Sequence, residues 1–182
     1  MLQCISVRHT VSFIEQFVDS GFSILLTFDG PALFLLFLLK GAIVGKIFPT
    51  SIFLPGYLLA VSASRERAAL SILVATCGYV AGQLIIYWIS SWYGIGAIRS
   101  LPGVSISETK LATSERVFQR YSGVGIFVTN IVPYVGTFIM IPAGMASYPL
   151  TQTAFYAFVS TLLNYALIVL IVFESIAFVG LM

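Results

Sequence analysis

Lys46 lies three residues before Pro49 in a segment otherwise built of apolar and small residues. An ammonium beside a broken helix end is a point charge that a phosphate group can meet. Its four-carbon stem can equally snorkel toward water, as can that of Lys40, so a ligand role and a solvated one both fit the residue type. The second group able to do chemistry is uncharged: Tyr57, Gln83, Asn130, Thr137 and Asn164 are hydrogen-bonding side chains scattered through apolar sequence. Together they could line a cavity that holds a polar group. Taken singly, Asn and Gln on apolar helices also glue neighbours together, at about 0.6 kcal/mol per hydrogen bond.

The parts of a catalytic centre are missing from the pattern. The single histidine, His9, has no Cys, Glu or second His at metal-ligand spacing, which argues against a zinc site. Cys4 and Cys77 are too few for a disulfide framework. No Ser or Cys has a plausible base, no pair of acids faces across apolar sequence, and no Gly-rich phosphate loop occurs. The chain is expected not to be an enzyme and to need no cofactor or metal.

What must position those residues follows from composition. Of the 182 residues, 59% are hydrophobic and only 9% charged, against about a quarter in soluble domains, so the chain belongs to the membrane class. Its nine Lys and Arg are scattered, which excludes a basic stripe for nucleic acid. Glu15 and Asp19 interrupt the N-terminal apolar run, so no removable signal peptide is read there.

Charge-free windows locate the segments inside the bilayer, because an ionised group at mid-depth costs at least a few kcal/mol. Ala68 to Ile98 is such a window, and a transmembrane helix is expected over 68–94. Tyr121 to Phe173 is another, cut by Pro133, Pro142 and Pro149. Gly123 to Val132 is ten residues, about 15 Å of helix, which reaches only the middle of a ~30 Å core before Pro133 breaks the ladder. A re-entrant hairpin over 123–148 is expected, its second arm running from Phe138 to Tyr148, followed by a transmembrane helix over 151–174 with Glu174 at its far end. Residues 31–64 share this grammar, with an apolar arm, a broken stretch holding Pro49 and Pro55-Gly56, and a second arm from Leu58, so a first hairpin is expected there. The breaks are assigned to Pro49, Pro55, Gly56, Pro133, Gly136, Pro142 and Gly144. Ordinary helices kinked at the same prolines are the competing reading. Residues 11–28 read as an amphipathic helix lying in the headgroup plane, and 99–121 as a polar linker with a short amphipathic helix.

Taken together, these spans describe an all-α integral membrane protein with two re-entrant helical hairpins in an inverted-repeat arrangement, each followed by a transmembrane helix. Gly41-x3-Gly45 and Gly78-x3-Gly82 put small residues on one helix face, allowing close helix contact within one chain or between two. Flanking charges do not decide the orientation: Arg8, Arg65 and Arg67 stand against Arg99, Lys110, Arg116 and Arg120.

The run Gly78-x3-Gly82-Gln83-x3-Tyr87-x6-Gly94, then Phe118-x2-Tyr121-x-Gly123, then Pro133 and Ala143-Gly144, resembles the DedA family of small membrane proteins, also called the VTT or SNARE-associated-Golgi domain. The resemblance covers about residues 30 to 175. It implies two facing re-entrant hairpins and the movement of polyprenyl-phosphate lipids or phospholipids across the bilayer of a cell membrane. It also implies an acid after the first Pro-Gly, where this chain has Tyr57, and a second where it has Gln83. Two arginines around the second hairpin's proline are replaced by Asn130 and Gly136, and a Gly-Arg pair by Ser90-Ser91. A lipid flippase or scramblase working between two hairpin tips is therefore expected, with Lys46, Tyr57, Gln83, Asn130 and Thr137 as substrate contacts. Its partners are expected to be membrane lipids, with a homo-oligomer possible and nucleic acid excluded. The alternative is a non-transporting membrane scaffold that oligomerises through its glycine faces.

Overall fold

The computed structural model describes residues 28–42, 50–99, 108–131 and 136–180, and among these there are helices and turns but no strand. Helix α1 covers 28–42, α2 Thr50–Ala60, α3 Arg65–Arg99, α4 Glu108–Tyr121, α5 Gly123–Ile131, α6 Met140–Met145 and α7 Leu150–Gly180. The two long helices are near-continuous apolar sequence, and their stretches Arg65–Gly94 and Leu150–Phe178, of 30 and 29 residues, are long and apolar enough to cross a membrane. Helix α3 bends at Gly94, whose φ of 67° is a conformation that favours glycine. The outward faces of both are greasy: Leu70, Ile85, Trp88 and Trp92 on α3 and Phe155, Leu167, Leu170 and Phe178 on α7 are exposed. A soluble surface does not carry an apolar patch of that size, whereas a lipid-facing one must.

Helices α3 and α7 run antiparallel, which follows from two separate cores. One holds Val80, Ile86 and Tyr87 of the second half of α3 with Ala157 near the start of α7, and is closed by Phe118 of α4, Ile126 of α5 and Ile141 of α6. The other holds Ala75 of α3 with Tyr165 and Val169 of the second half of α7, closed by Leu33 and Phe37 of α1 and Leu54 and Leu58 of α2. The short helices are shared reciprocally. Helix α2 packs on α7 more than on α3, while α6 packs on α3.

The joints entering the long helices are alike. After α2, Ser62 takes a left-handed φ of 45° and the Ala63 N–H donates to the Leu58 carbonyl at 3.0 Å. After α6, Ser147 takes φ 51° and the Tyr148 N–H donates to the Ala143 carbonyl at 3.0 Å. Both are Schellman-type endings that satisfy the last carbonyls of a short helix. The two serines are 85 residues apart, as are the paired acceptors Leu58 and Ala143.

Helices α1 and α3 meet backbone to backbone. A methyl group added at Gly41 would overlap the Tyr79 carbonyl, one at Gly78 the Phe34 carbonyl, and one at Gly82 the Leu38 carbonyl. Gly41, Gly78 and Gly82 of the small-residue faces are thus used inside the chain, and Gly45 lies outside the described residues. Helix α4 is amphipathic, burying Ser114 and Phe118 while Glu108, Glu115, Arg116 and Arg120 are exposed.

Several expected breaks are not breaks. Helix α2 runs through Pro55 and Gly56 to Ala60, because a proline six residues into a helix removes only the bond to the Ser51 carbonyl and its φ is already helical. Pro142 is the third residue of α6, in the first turn, where no N–H partner is lost. Gly144 is also helical, and its lack of a side chain lets α6 approach the Tyr87 carbonyl and Ser90 of α3. The second arm of that segment is correspondingly shorter than the stretch Phe138–Tyr148, with turns at 136–139 and 146–147 flanking α6. Glu174 does not end α7, which continues to Gly180 with Glu174 on its exposed side. Residues 11–27 of the expected headgroup-plane helix, Lys46, Pro49 and Pro133 lie outside the described residues.

Candidate functional site at the middle of the long helices

Most buried hydroxyls are satisfied by their own helix. Thr76 donates to the Ile72 carbonyl at 2.7 Å, Thr129 to Gly125 at 2.7 Å and Ser160 to Tyr156 at 2.6 Å. Such back-bonding removes them from any shared network. The amides of Gln83, Asn130 and Asn164 reach across elements instead.

Helix α5 ends at Ile131, so its last carbonyls have no helical partner. Asn164 of α7 donates to two of them, the Asn130 and Ile131 carbonyls, each at 2.9 Å. The Asn130 side chain points toward α3, where its Oδ1 accepts from Gln83 Nε2 at 2.8 Å. Gln83 is fully buried and Asn130 nearly so. Gly136 passes directly over the Asn130 amide, and a methyl group there would collide with Asn130 Oδ1. The neighbouring Thr137 shares a hydrogen bond of 3.2 Å with the Tyr79 hydroxyl, one turn before Gln83 on α3. Beyond Tyr79 is Lys40 of α1, whose Nζ donates to the Tyr165 hydroxyl at 3.3 Å and lies 4.7 Å from the Tyr79 ring centre and 5.3 Å from that of Tyr165. An ammonium over aromatic faces is held by their quadrupoles.

The position of this seam is its main property. Tyr79 is fourteen residues from Arg65 and fifteen from Gly94, and Asn164 is fourteen from either end of Leu150–Phe178. At 1.5 Å per residue Tyr79 and Asn164 are about 21 Å from each end of these stretches, and Gln83 is one turn farther along α3. They sit between the two apolar cores, where unpaired polar groups are most costly.

A family model, the VTT domain, matches residues 34–174. The chain belongs to the VTT domain family, which is the DedA family of membrane proteins. No curated protein and no solved structure matches it. The VTT match covers α2 to α6, most of α1 and α7, and every residue of the seam.

Within this VTT domain the resemblance assigns an acid to position 83 and an arginine to position 130. The two neutral residues found there are in direct contact, one amide donating to the other. Tyr57, at the other position assigned to an acid, is buried elsewhere: its hydroxyl donates to Asp29, which also pairs with Arg67 at 2.7 Å near the start of α3. Ser90 bonds the Tyr87 carbonyl at 2.8 Å, facing Gly144, and Ser91 bonds the Trp88 carbonyl at 2.9 Å. Gln83, Asn130, Thr137 and Asn164 are therefore brought to one seam and Tyr57 is not. Tyr79 and Tyr165 belong to the seam without having been singled out in the sequence. Their signal was available, since Tyr79 shares a helical face with Gln83 at i, i+4 and Tyr165 adjoins Asn164.

Proposed function

We propose that the protein is a multi-pass plasma-membrane transporter, not an enzyme, that lets lipid headgroups cross the bilayer between two re-entrant hairpins. The hairpins are residues 31–64 and 123–148, related as an inverted repeat, and the cargo is a polyprenyl-phosphate lipid or a phospholipid. One observation carries this reading: a polar seam joins four helices at the mid-depth of two lipid-length helices, at the spot where α5 stops. A headgroup moving through hydrocarbon needs hydrogen-bonding partners at that depth and nowhere more. The reciprocal docking of α2 on α7 and α6 on α3, and the matching serine joints, support the inverted repeat. Asp29, Tyr57 and Arg67 then form a polar mouth near the start of α3. The scaffold alternative relied on glycine faces, and Gly41, Gly78 and Gly82 are occupied within the chain. A homo-oligomer would use the exposed apolar faces of α3 and α7 instead.

The test is reconstitution into vesicles with fluorescent lipids. Flip above the protein-free rate is expected, and its absence for both polyprenyl-phosphate and phospholipid probes defeats the proposal. Lys46→Ala is expected to slow anionic lipids more than zwitterionic ones; equal slowing removes Lys46 from the path.

A further inference from the structure

Among the described residues, two buried atoms in the seam have no hydrogen-bond partner: Oε1 of Gln83, an acceptor, and Nδ2 of Asn130, a donor. They are the free halves of two amides whose other halves meet at 2.8 Å, so both flank one hydrogen bond without being bonded to each other. Thr161 Oγ1, less than one turn before Asn164 on α7, is also buried without a partner. Exchanging O and N in both amides leaves the same inventory, one donor and one acceptor, so the conclusion does not depend on which way the amides point. An unsatisfied buried polar atom costs about 1–3 kcal/mol, and a donor and an acceptor that do not reach each other are both completed by a ligand that bridges them.

The pairing specifies the ligand's chemistry. An ionised phosphate oxygen only accepts, so it would satisfy Asn130 and leave the Gln83 oxygen facing negative charge. A quaternary ammonium neither donates nor accepts a conventional hydrogen bond and would leave both unmet. A hydroxyl donates once and accepts, matching Gln83 and Asn130 together. We infer that the seam binds a hydroxyl of the lipid headgroup, selecting polyol headgroups over those that present only phosphate or an alkylated amine. The inference rests on the transport reading above and names the headgroup class that this site takes. In it, Gln83 accepts the hydroxyl proton's hydrogen bond and Asn130 donates to the hydroxyl oxygen, while Thr137 and Tyr79 hold the neighbouring wall.

The experiment compares two lipids of equal charge, phosphatidylglycerol and phosphatidylpropanol, which differ in headgroup hydroxyls, as fluorescent probes in vesicles containing the full chain. Phosphatidylglycerol is expected to flip about tenfold faster, the factor that ~1.4 kcal/mol of hydrogen bonding supplies. The double variant Gln83→Met with Asn130→Leu replaces both partners with apolar groups of similar shape, which keeps the fold, and is expected to bring phosphatidylglycerol down to the phosphatidylpropanol rate. Equal flip of the two lipids by the unaltered protein, above the protein-free rate, overturns the hydroxyl assignment and leaves transport standing. If neither lipid flips, transport falls, and the assignment is read from the Tm of the detergent-solubilised protein. A larger rise with phosphatidylglycerol than with phosphatidylpropanol, absent in the double variant, upholds it. Equal Tm shifts indicate that a water molecule or nothing fills the seam, and overturn it.

Discussion

Asn164 shows how one residue can hold a broken helix in place. Its amide gives both hydrogens to carbonyls at the end of α5, two residues before Pro133, whose ring disfavours continuing the helix. Interhelical hydrogen bonds in membranes average only about 0.6 kcal/mol because the separated helices find other partners. Because α5 stops at Ile131, these two carbonyls lack intrahelical partners, so Asn164→Leu should exceed that average and lower stability by about 1–3 kcal/mol, seen as a drop in Tm in detergent. A Tm equal to the unaltered protein's would show that the α5 end is satisfied some other way. The residues of this seam were only partly legible. Gln83, Asn130 and Asn164 stand out because amides are rare in apolar sequence, and each reaches another element. Tyr57 was singled out because the resemblance puts an acid at its position, and it is elsewhere, since an isolated polar residue does not declare which end of its helix meets a partner. Tyr79 and Tyr165 were hidden because tyrosine is also an ordinary membrane-core residue.

Among the elements, the contact of α1 with α3 depends on absent side chains. Gly82→Ala would push a methyl group into the Leu38 carbonyl, and rigid backbone on both sides cannot yield. The variant is expected to unfold at clearly lower temperature, whereas Gly96→Ala, with nothing within 4 Å of the new atom, should be neutral or better. Equal behaviour of the two would remove the close contact. The same helix offers a depth gauge. The chain has two tryptophans, Trp88 and Trp92, both exposed and stacked with ring centres 6.4 Å apart near the Gly94 bend. Aromatic residues of this kind gather at the headgroup level. With Trp88→Phe and Trp92→Phe as single-tryptophan proteins and lipids brominated at different depths, the remaining Trp88 should be quenched about 6 Å deeper than Trp92. Absence of quenching for both would put this end of α3 outside the bilayer. Element type was readable because long apolar runs permit only helices in a bilayer. Break positions were less so: a proline as a letter does not show its place within a helix, and Pro55 and Pro142 are both inside helices that continue past them.

On the scale of the whole molecule, the expected all-helical class and the two lipid-length helices are present, and the VTT family assignment covers them. The reciprocal arrangement could not be read from letters, because a weak repeat does not say whether each short arm packs on its own long helix or on the other. Single cysteines at 50–57 and at 136–144, introduced after Cys4 and Cys77 are replaced, test the hairpin topology. Each set should react with membrane-impermeant reagent only from the side on which its own hairpin begins. Labelling of either set from the far side would mean that the segment crosses.

The exchange of short arms has a consequence for biogenesis. Helix α6 begins about forty residues after α3 ends, so the ribosome delivers the first half with the α6 dock on α3 still bare. Neither half can complete itself: the first lacks α6 and the second lacks α2. The bilayer must therefore shelter an unfinished clasp until synthesis is nearly over, and a chain stalled before α6 would carry a vacant polar dock at Ser90 for quality-control proteases to find.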